Sequence, residues 1–320
     1  MLRKKNAIEF LQASNPMHMT VEERAAMTVS CSDCDDIPKA QNAGKVVTKN
    51  GQKVQIMHNG LTVLAGGYYG ELIETIIKKL KGHHEPQEEK VFYELLKRID
   101  GKNPTMIELG SFWAYYSLWF KSGGKNRKAI CCEPDPKNIE VGKRNMALNG
   151  YTEGENLTFV QSAAGAVDGK IIKFRQDSDQ TKVVSVPIRT VDSLVAEHKV
   201  AYLDILHVDA QGVELMALEG AINTIKQKKI RFMVISTHHY IFSGDPQTHQ
   251  KCEAFIRDNG GHIVSSHGIL ESYSGDGLIV ASFDARDRDF YVETSHNHGP
   301  ALFRSYEEDL ALLIAKRGRG

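Results

Sequence analysis

The sequence has no excess of charge, no membrane-length apolar run and few cysteines. Lysine plus arginine and aspartate plus glutamate number 40 each among the 320 residues, so the formal net charge is zero. No global field is present to gather nucleic acid or hold an anionic membrane. The basic ends, Arg3-Lys4-Lys5 and Lys316-Arg317-Arg319, are short and read as solvated termini. No apolar stretch approaches the ~18 residues that a membrane-spanning helix needs. The opening MLRKKNAIEFLQASN has a charged start but too short an apolar stretch for a secretory signal. A cytoplasmic protein with no membrane span is therefore expected. A homo-oligomer remains open.

Cysteine is scarce and odd in number: Cys31, Cys34, Cys131, Cys132 and Cys252. Two of these sit in an apolar strand-like run, which fits a reducing compartment. Cys31-x-x-Cys34 has the spacing of half a zinc site or a redox pair. No second pair follows at metal-ligand spacing, and Asp33, Asp35 and Asp36 read as a turn. Unpaired thiols beside a loop are the simpler reading. Internal repeats and low-complexity segments are also missing. What remains is 41% hydrophobic and 25% charged, ordinary for a globular chain long enough to bury a core without staples.

The pattern divides near residue 86. Residues 1–85 form an extension with two β-like runs, Lys45–Thr48 and Val54–Met57, around Asn50-Gly51, a strong hairpin signal. A further strand at Leu61–Leu64 follows, then a helix marked by Leu72, Ile73, Ile76, Ile77 and Leu80. Residues 86–290 alternate helix and strand. Helix 88–99 is followed by strand 105–110, helix 114–122, strand 128–134, helix 136–149 and strand 157–163. Runs 170–176 and 182–190 read as an inserted antiparallel hairpin, with Pro187 expected at an edge or bulge. Then come strand 203–209, helix 213–226, strand 231–238, helix 246–258 and strands 262–270 and 276–282, the last two joined by the short turn Ser272–Gly277. Single helices between strands imply a parallel sheet with right-handed crossovers. The expectation is an α/β, doubly wound, seven-stranded mostly parallel sheet of Rossmann-like type, with an N-terminal α+β extension. Residues 291–320 form a tail with a helix near 305–315.

In such a sheet the ligand sits beyond the carboxyl ends of the strands. Strand one ends Glu108-Leu109-Gly110-Ser111, and strand two ends Glu133-Pro134-Asp135. Glu133 lies 25 residues after Glu108, near the spacing at which an acidic residue binds ribose hydroxyls. The first turn reads G-S-F-W-A and lacks the glycines that let backbone approach a pyrophosphate. That disfavours a dinucleotide and favours S-adenosylmethionine, which has no phosphate and carries an ammonium and a sulfonium.

With these residues in place the chain resembles the FkbM family of class I methyltransferases. The matching stretches are MIELGSFWAYYSLWF, CCEPDPKNIEVGKRNMALNG, TVDSLV and LDILHVDAQGVELMALEGA, within residues 105–282. The resemblance implies O-methylation, often of sugars in glycans or of natural products. It carries the cofactor role onto Glu108, Gly110, Ser111, Glu133, Asn138, Ser162 and Ala163. The family usually has glycine where Ala114 stands, and often K-I-D-V-E-G where this chain has His207-Val208-Asp209-Ala210-Gln211-Gly212.

A sugar hydroxyl is a poor nucleophile, so a base or a metal should help. His238 ends strand five and Asp209 ends strand four, and these are the candidate catalytic pair. A divalent ion held by Asp209 and His238 with Asp192 or Glu214 is allowed, but nothing in the spacing demands it. Glu85 and Glu88 in HHEPQEE, with His239 and Tyr69, are the candidate substrate contacts on a sugar-containing acceptor. The alternative function is a non-catalytic carbohydrate- or protein-binding module that keeps the fold.

Overall fold

A computed structural model describes residues 19–154, 157–305, 307, 310 and 314. The elements in chain order are α1 (Val21–Val29), β1 (Val46–Lys49), β2 (Gln52–Ile56), β3 (Thr62–Leu64), α2 (Gly70–Lys79), α3 (Pro86–Leu96), β4 (Thr105–Leu109), α4 (Tyr115–Ser122) and β5 (Lys128–Glu133). Then follow α5 (Pro136–Leu148), β6 (Leu157–Gln161), β7 (Ala163–Ala164), β8 (Ile171–Arg175), β9 (Val183–Arg189), α6 (Val191–Glu197) and β10 (Leu203–Val208). The rest are α7 (Glu214–Glu219), α8 (Ile222–Lys226), β11 (Ile230–Thr237), α9 (Tyr240–Ser243), α10 (Thr248–Asp258), β12 (His262–His267) and β13 (Gly277–Ser282).

The main sheet has seven strands in the order β12-β13-β11-β10-β4-β5-β6. The pairs from β11 to β6 are parallel, and β13 is antiparallel to both β11 and β12. Every residue of β4, β10 and β11 is buried, as a sheet covered on both faces requires. Alternate residues feed two cores. Met106, Cys131, Ile205 and Val234 face one side, and Ile107, Cys132, Leu206 and Ile235 face the other. The first core also takes in Met57, Val63, Ile76 and Ile77, so the extension packs into the same apolar cluster as the main sheet.

Local signals explain the boundaries. Asn50 and Gly51 both have positive φ, 50° and 76°, the type I′ geometry that closes β1 on β2. Pro136 opens α5 behind Asp135, whose side chain caps Lys137 N. The inserted hairpin is β8 on β9, extended by the two-residue β7. Ile188 N donates to Lys170 O at 2.8 Å, so the adjacent Pro187 nitrogen points to the other side, where pairing with β7 begins only at Ile188. The single helix expected over 213–226 is instead two, α7 and α8. The break falls at Gly220, whose carbonyl accepts Asp192 N at 2.9 Å and where a Cβ would lie 2.4 Å from Gly165 O. The tail helix expected near 305–315 falls largely outside the described residues. Among the described residues no helix is long and apolar enough to cross a membrane.

Candidate active site

Two cavities open at the carboxyl ends of β4, β5, β10 and β11. The first, about 190 Å³, is lined by Gly110, Phe112, Glu133, Asn138, Ser162 and Ala163, among others. The second, about 280 Å³, is lined by Arg24, His84, Glu85, His238, Phe242 and Asp276, among others. Tyr68, Tyr69, Asp209 and Gln211 belong to both and form their shared wall.

Gly110 shapes the first cavity. Its φ is +78°, and a Cβ there would lie 1.7 Å from the Asp209 carbonyl oxygen. Only glycine lets the ends of β4 and β10 come this close. Gly110→Ala is expected to cost at least ~2 kcal/mol of stability, from left-handed strain plus a backbone clash, measured by denaturant unfolding. The turn continues with Phe112 and Ala114, also at positive φ, 37° and 59°. Left-handed backbone at Ala114 accounts for the glycine usual there in the FkbM pattern.

Glu133 holds this turn. Its Oε2 accepts Phe112 N at 3.0 Å, and its Oε1 accepts Asp135 N at 2.9 Å and Asn138 Nδ2 at 3.3 Å. Burial pushes its carboxyl up to about 8, against the pull of these donors. Ile172, Phe174 and Asp177 close the far wall. They come from the inserted hairpin, whose part in the site the sequence reading missed.

Of the expected cofactor residues, Gly110, Glu133, Asn138, Ser162 and Ala163 come together here. Glu108 and Ser111 do not line either cavity. Glu108 points into the core, where it accepts Ser117 N at 3.1 Å in the first turn of α4, and burial pushes its carboxyl up to about 7. Ser111 is buried, and its backbone N–H donates to Cys132 O.

In the second cavity His238 and Asp209 meet as expected. His238 Nε2 lies 3.2 Å from Asp209 Oδ1 and 3.7 Å from Asp276 Oδ1, and Nδ1 lies 2.7 Å from Glu214 Oε1. Burial lowers the affinity of this imidazole for its proton, but Asp276, Asp209 and Glu214 outweigh it and hold His238 well above its ordinary value. A ring with both nitrogens facing carboxylates is a donor, so the expected general-base role does not fit His238. Burial raises the Asp209 carboxyl, yet the hydrogen bond and charge of His238 bring it below the ordinary value. Burial pushes the Asp276 carboxyl up to about 6, with the charges of Asp209 and Glu85 helping and those of His238 and Arg24 opposing. Asp276 lies in the turn before β13, read from sequence only as a turn.

The remaining candidates separate. Glu85 lines the second cavity and accepts Tyr116 OH at 3.0 Å. Tyr69 lines both cavities and is 53% exposed, the accessibility a ligand contact needs. Glu88 is turned inward, accepting His207 Nε2 at 2.6 Å and Ser236 Oγ at 2.6 Å, which removes it from substrate contact. Burial lowers His207, but Glu88 more than offsets this and holds its imidazole up, at about 9. His239 lies on a different, larger opening, with its ring stacked 4.6 Å from Phe303. The oxygen-rich metal set is not assembled. Asp192 is occupied at the start of α8 by Asn223 N, Thr224 N and Thr224 Oγ1, and Glu214 is turned to His238.

The Methyltransferase FkbM domain matches residues 99–263, just over half of the chain. The chain belongs to the FkbM methyltransferase family. This FkbM protein is accordingly an S-adenosylmethionine-dependent methyltransferase. No curated protein sequence matches it. Among solved structures it is similar to the METTL16 methyltransferase domain, at 13% identity and TM-score 0.44, covering 85% of this chain and 98% of that one. It is also similar to M. capricolum TrmK in complex with S-adenosyl-homocysteine, at 11% identity and TM-score 0.38, covering 72% and 83%. A third is precorrin-6y C5,15-methyltransferase from Geobacter metallireducens, at 13% identity and TM-score 0.38, covering 60% and 87%.

Proposed function

We propose that this FkbM protein methylates a hydroxyl of a sugar-containing acceptor, with the adenosyl part of the donor in the first cavity and the acceptor in the second. The observation that carries this reading is the shared wall of the two cavities. One side offers a ribose-binding carboxylate between apolar walls, and the other gathers carboxylates around His238 beside aromatic rings. Alternating polar groups and aromatic faces suit a sugar, which presents hydroxyls at its rim and C–H faces to stack.

The residues present fit S-adenosylmethionine. Glu133 would accept the ribose hydroxyls, Asn138 donates to its carboxyl, and Gly110, Ser162 and Ala163 would leave room for the nucleoside. When bound, S-adenosylmethionine supplies a methyl carbon made electrophilic by the sulfonium. Tyr69 and Glu85 orient the acceptor oxygen close to that carbon, and positioning of this kind supplies much of the rate. Asp276 would take the proton of the acceptor hydroxyl as that oxygen is methylated. His238 is a positioning residue that holds Asp209 and sets the charge beside Asp276.

Calorimetry with S-adenosylhomocysteine, followed by a methyl-transfer screen over nucleotide sugars and glycans, tests this. Binding of S-adenosylhomocysteine and transfer to a sugar hydroxyl are expected. Binding without transfer to any acceptor points to the non-catalytic module instead. Because burial holds the Glu133 carboxyl up at about 8, Glu133→Ala should weaken S-adenosylhomocysteine by ~1.5–3 kcal/mol through lost charge-assisted hydrogen bonds when the titration is run above that pH, and by less at neutral pH.

A further inference from the structure

We propose that Arg24 anchors a negatively charged group of the acceptor, a phosphate or a carboxylate, so that the sugar methylated by this FkbM protein is an anionic one. This role rests on the acceptor lying in the second cavity, as proposed above. Arg24 and Thr28 stand one helical turn apart on the same face of α1, and both line that cavity. Neither lines the first cavity. The shared wall is made by Tyr68, Tyr69, Asp209 and Gln211, which puts Arg24 on the acceptor side of it.

Each carboxylate of the second cavity already faces an imidazole. Glu85 Oε2 lies 3.3 Å from His84 Nε2, and Asp209 and Asp276 both face His238 Nε2. Arg24 is different. No carboxylate lies at ion-pair distance from it among the described residues. Its Nη2 donates to Ser274 O at 3.2 Å, and its other N–H groups have no partner there. A half-buried guanidinium in this state offers its planar fork to an anion, and phosphate and carboxylate both meet that fork with two parallel hydrogen bonds.

The mounting of Arg24 is fixed. Thr28 Oγ1 donates to Tyr273 O at 2.7 Å, and Met27 packs with Leu302 and Phe303. These contacts fasten α1 to the turn that carries Asp276 and to the chain beyond β13. Arg24 for the anion and Asp276 for the hydroxyl proton are thereby held on one frame. The cavity, about 280 Å³, has room for one sugar ring that bears both groups, as a sugar phosphate or a uronate does. Arg24, Thr28 and Asp276 all lie outside residues 99–263, the match to the FkbM domain. Selection for charge on the acceptor is thus a feature of what this chain adds to the common domain.

Calorimetry on the full chain saturated with S-adenosylhomocysteine tests this without methyl transfer. The probes are glucose 1-phosphate, glucuronate and neutral glucose, with phenyl phosphate and phenol as a pair that contains no sugar. At least one anionic sugar is expected to bind ~10–100-fold more tightly than glucose, as charge-assisted hydrogen bonds imply. Whether the phosphate or the carboxylate binds names the group. Arg24→Met should abolish the preference and Arg24→Lys should keep part of it. Both variants should bind S-adenosylhomocysteine as the wild type does, which also reports that they are folded. Loss of that affinity in folded Arg24→Met would place the donor's own carboxylate at Arg24 and overturn the proposal. A wild-type chain that binds no anionic probe more tightly than its neutral counterpart would overturn it too, with no variant needed. Glucose binding without any such preference leaves the sugar reading standing and removes the anion site. Phenyl phosphate binding that depends on Arg24, with no sugar bound, keeps the anion site and removes the sugar reading.

Discussion

Asp276→Asn is expected to lower turnover by ~10²–10⁴-fold while leaving S-adenosylhomocysteine affinity unchanged, because a general base contributes in that range. The change removes the proton acceptor and keeps the shape. The pH dependence carries the sharper signature. A carboxyl held up at about 6 accepts a proton only once ionised, so the wild-type rate should rise with pH through about 6 and then level. The groups that face Asp276 are His238 from the end of β11, Asp209 from the end of β10, Glu85 from before α3 and Arg24 from α1. His238→Gln removes one of the two positive charges among them. The Asp276 carboxyl should then rise further, and the ascending limb should move to higher pH. A structural role for His238 alone would reduce the amount of folded enzyme without moving that limb. A rate profile in Asp276→Asn that keeps the wild-type limb would assign the proton to another group, with Asp209 the next to test.

The contrast between Asp209 and Asp276 shows where reading the sequence succeeds and where it stops. The sheet was legible because its strands are short apolar runs separated by helices of the right length, and because Gly150, Gly123 and Pro136 punctuate them. The donor site was legible as far as it follows from strand ends. Gly110 and Glu133 sit where a parallel sheet delivers any residue that ends β4 or β5. Glu108 shows the limit of that rule. Two residues before Gly110, it points into the core and meets Ser117 N in place of the cavity.

The acceptor side could not be reached in this way. Asp276 comes from a turn and Arg24 from α1, and no local pattern aims these at a common point. Glu88 illustrates the opposite error. Its place at a charged helix start suggested a substrate contact, but the same α3 packs over the sheet, and Glu88 finds His207 and Ser236 beneath it. His207 also fills the position where the family often has lysine. Its imidazole, held up at about 9 by Glu88, puts a cation there as lysine would.

Asp287→Ala is expected to destabilise the fold by ~3–5 kcal/mol, the usual cost of stranding a buried charge. Asp287 follows β13 and is fully buried. Its two oxygens accept Arg231 Nε at 2.9 Å and Nη2 at 3.0 Å, a bidentate pair, and Oδ2 also accepts Ser282 Oγ at 2.8 Å. Arg231 is 4% exposed at the start of β11 and spends Nη1 on Arg98 O at 2.7 Å. Removing the carboxylate leaves a guanidinium that cannot shed its charge and cannot reach bulk water. Asp100, mostly exposed at 3.2 Å from Nη1, offers only partial compensation. The double variant Arg231→Met with Asp287→Ala removes both charges and should recover much of the loss, since an ion pair replaced by apolar groups is often neutral. The pair lies at the amino end of β11, across the sheet from the cavities. Denaturant unfolding should therefore show the full loss in Asp287→Ala, while S-adenosylhomocysteine affinity of the folded fraction stays at the wild-type value. Equal stability of Asp287→Ala and wild type would mean that Arg231 finds water or Asp100 at no cost, and that the amino end of β11 is not held by this pair.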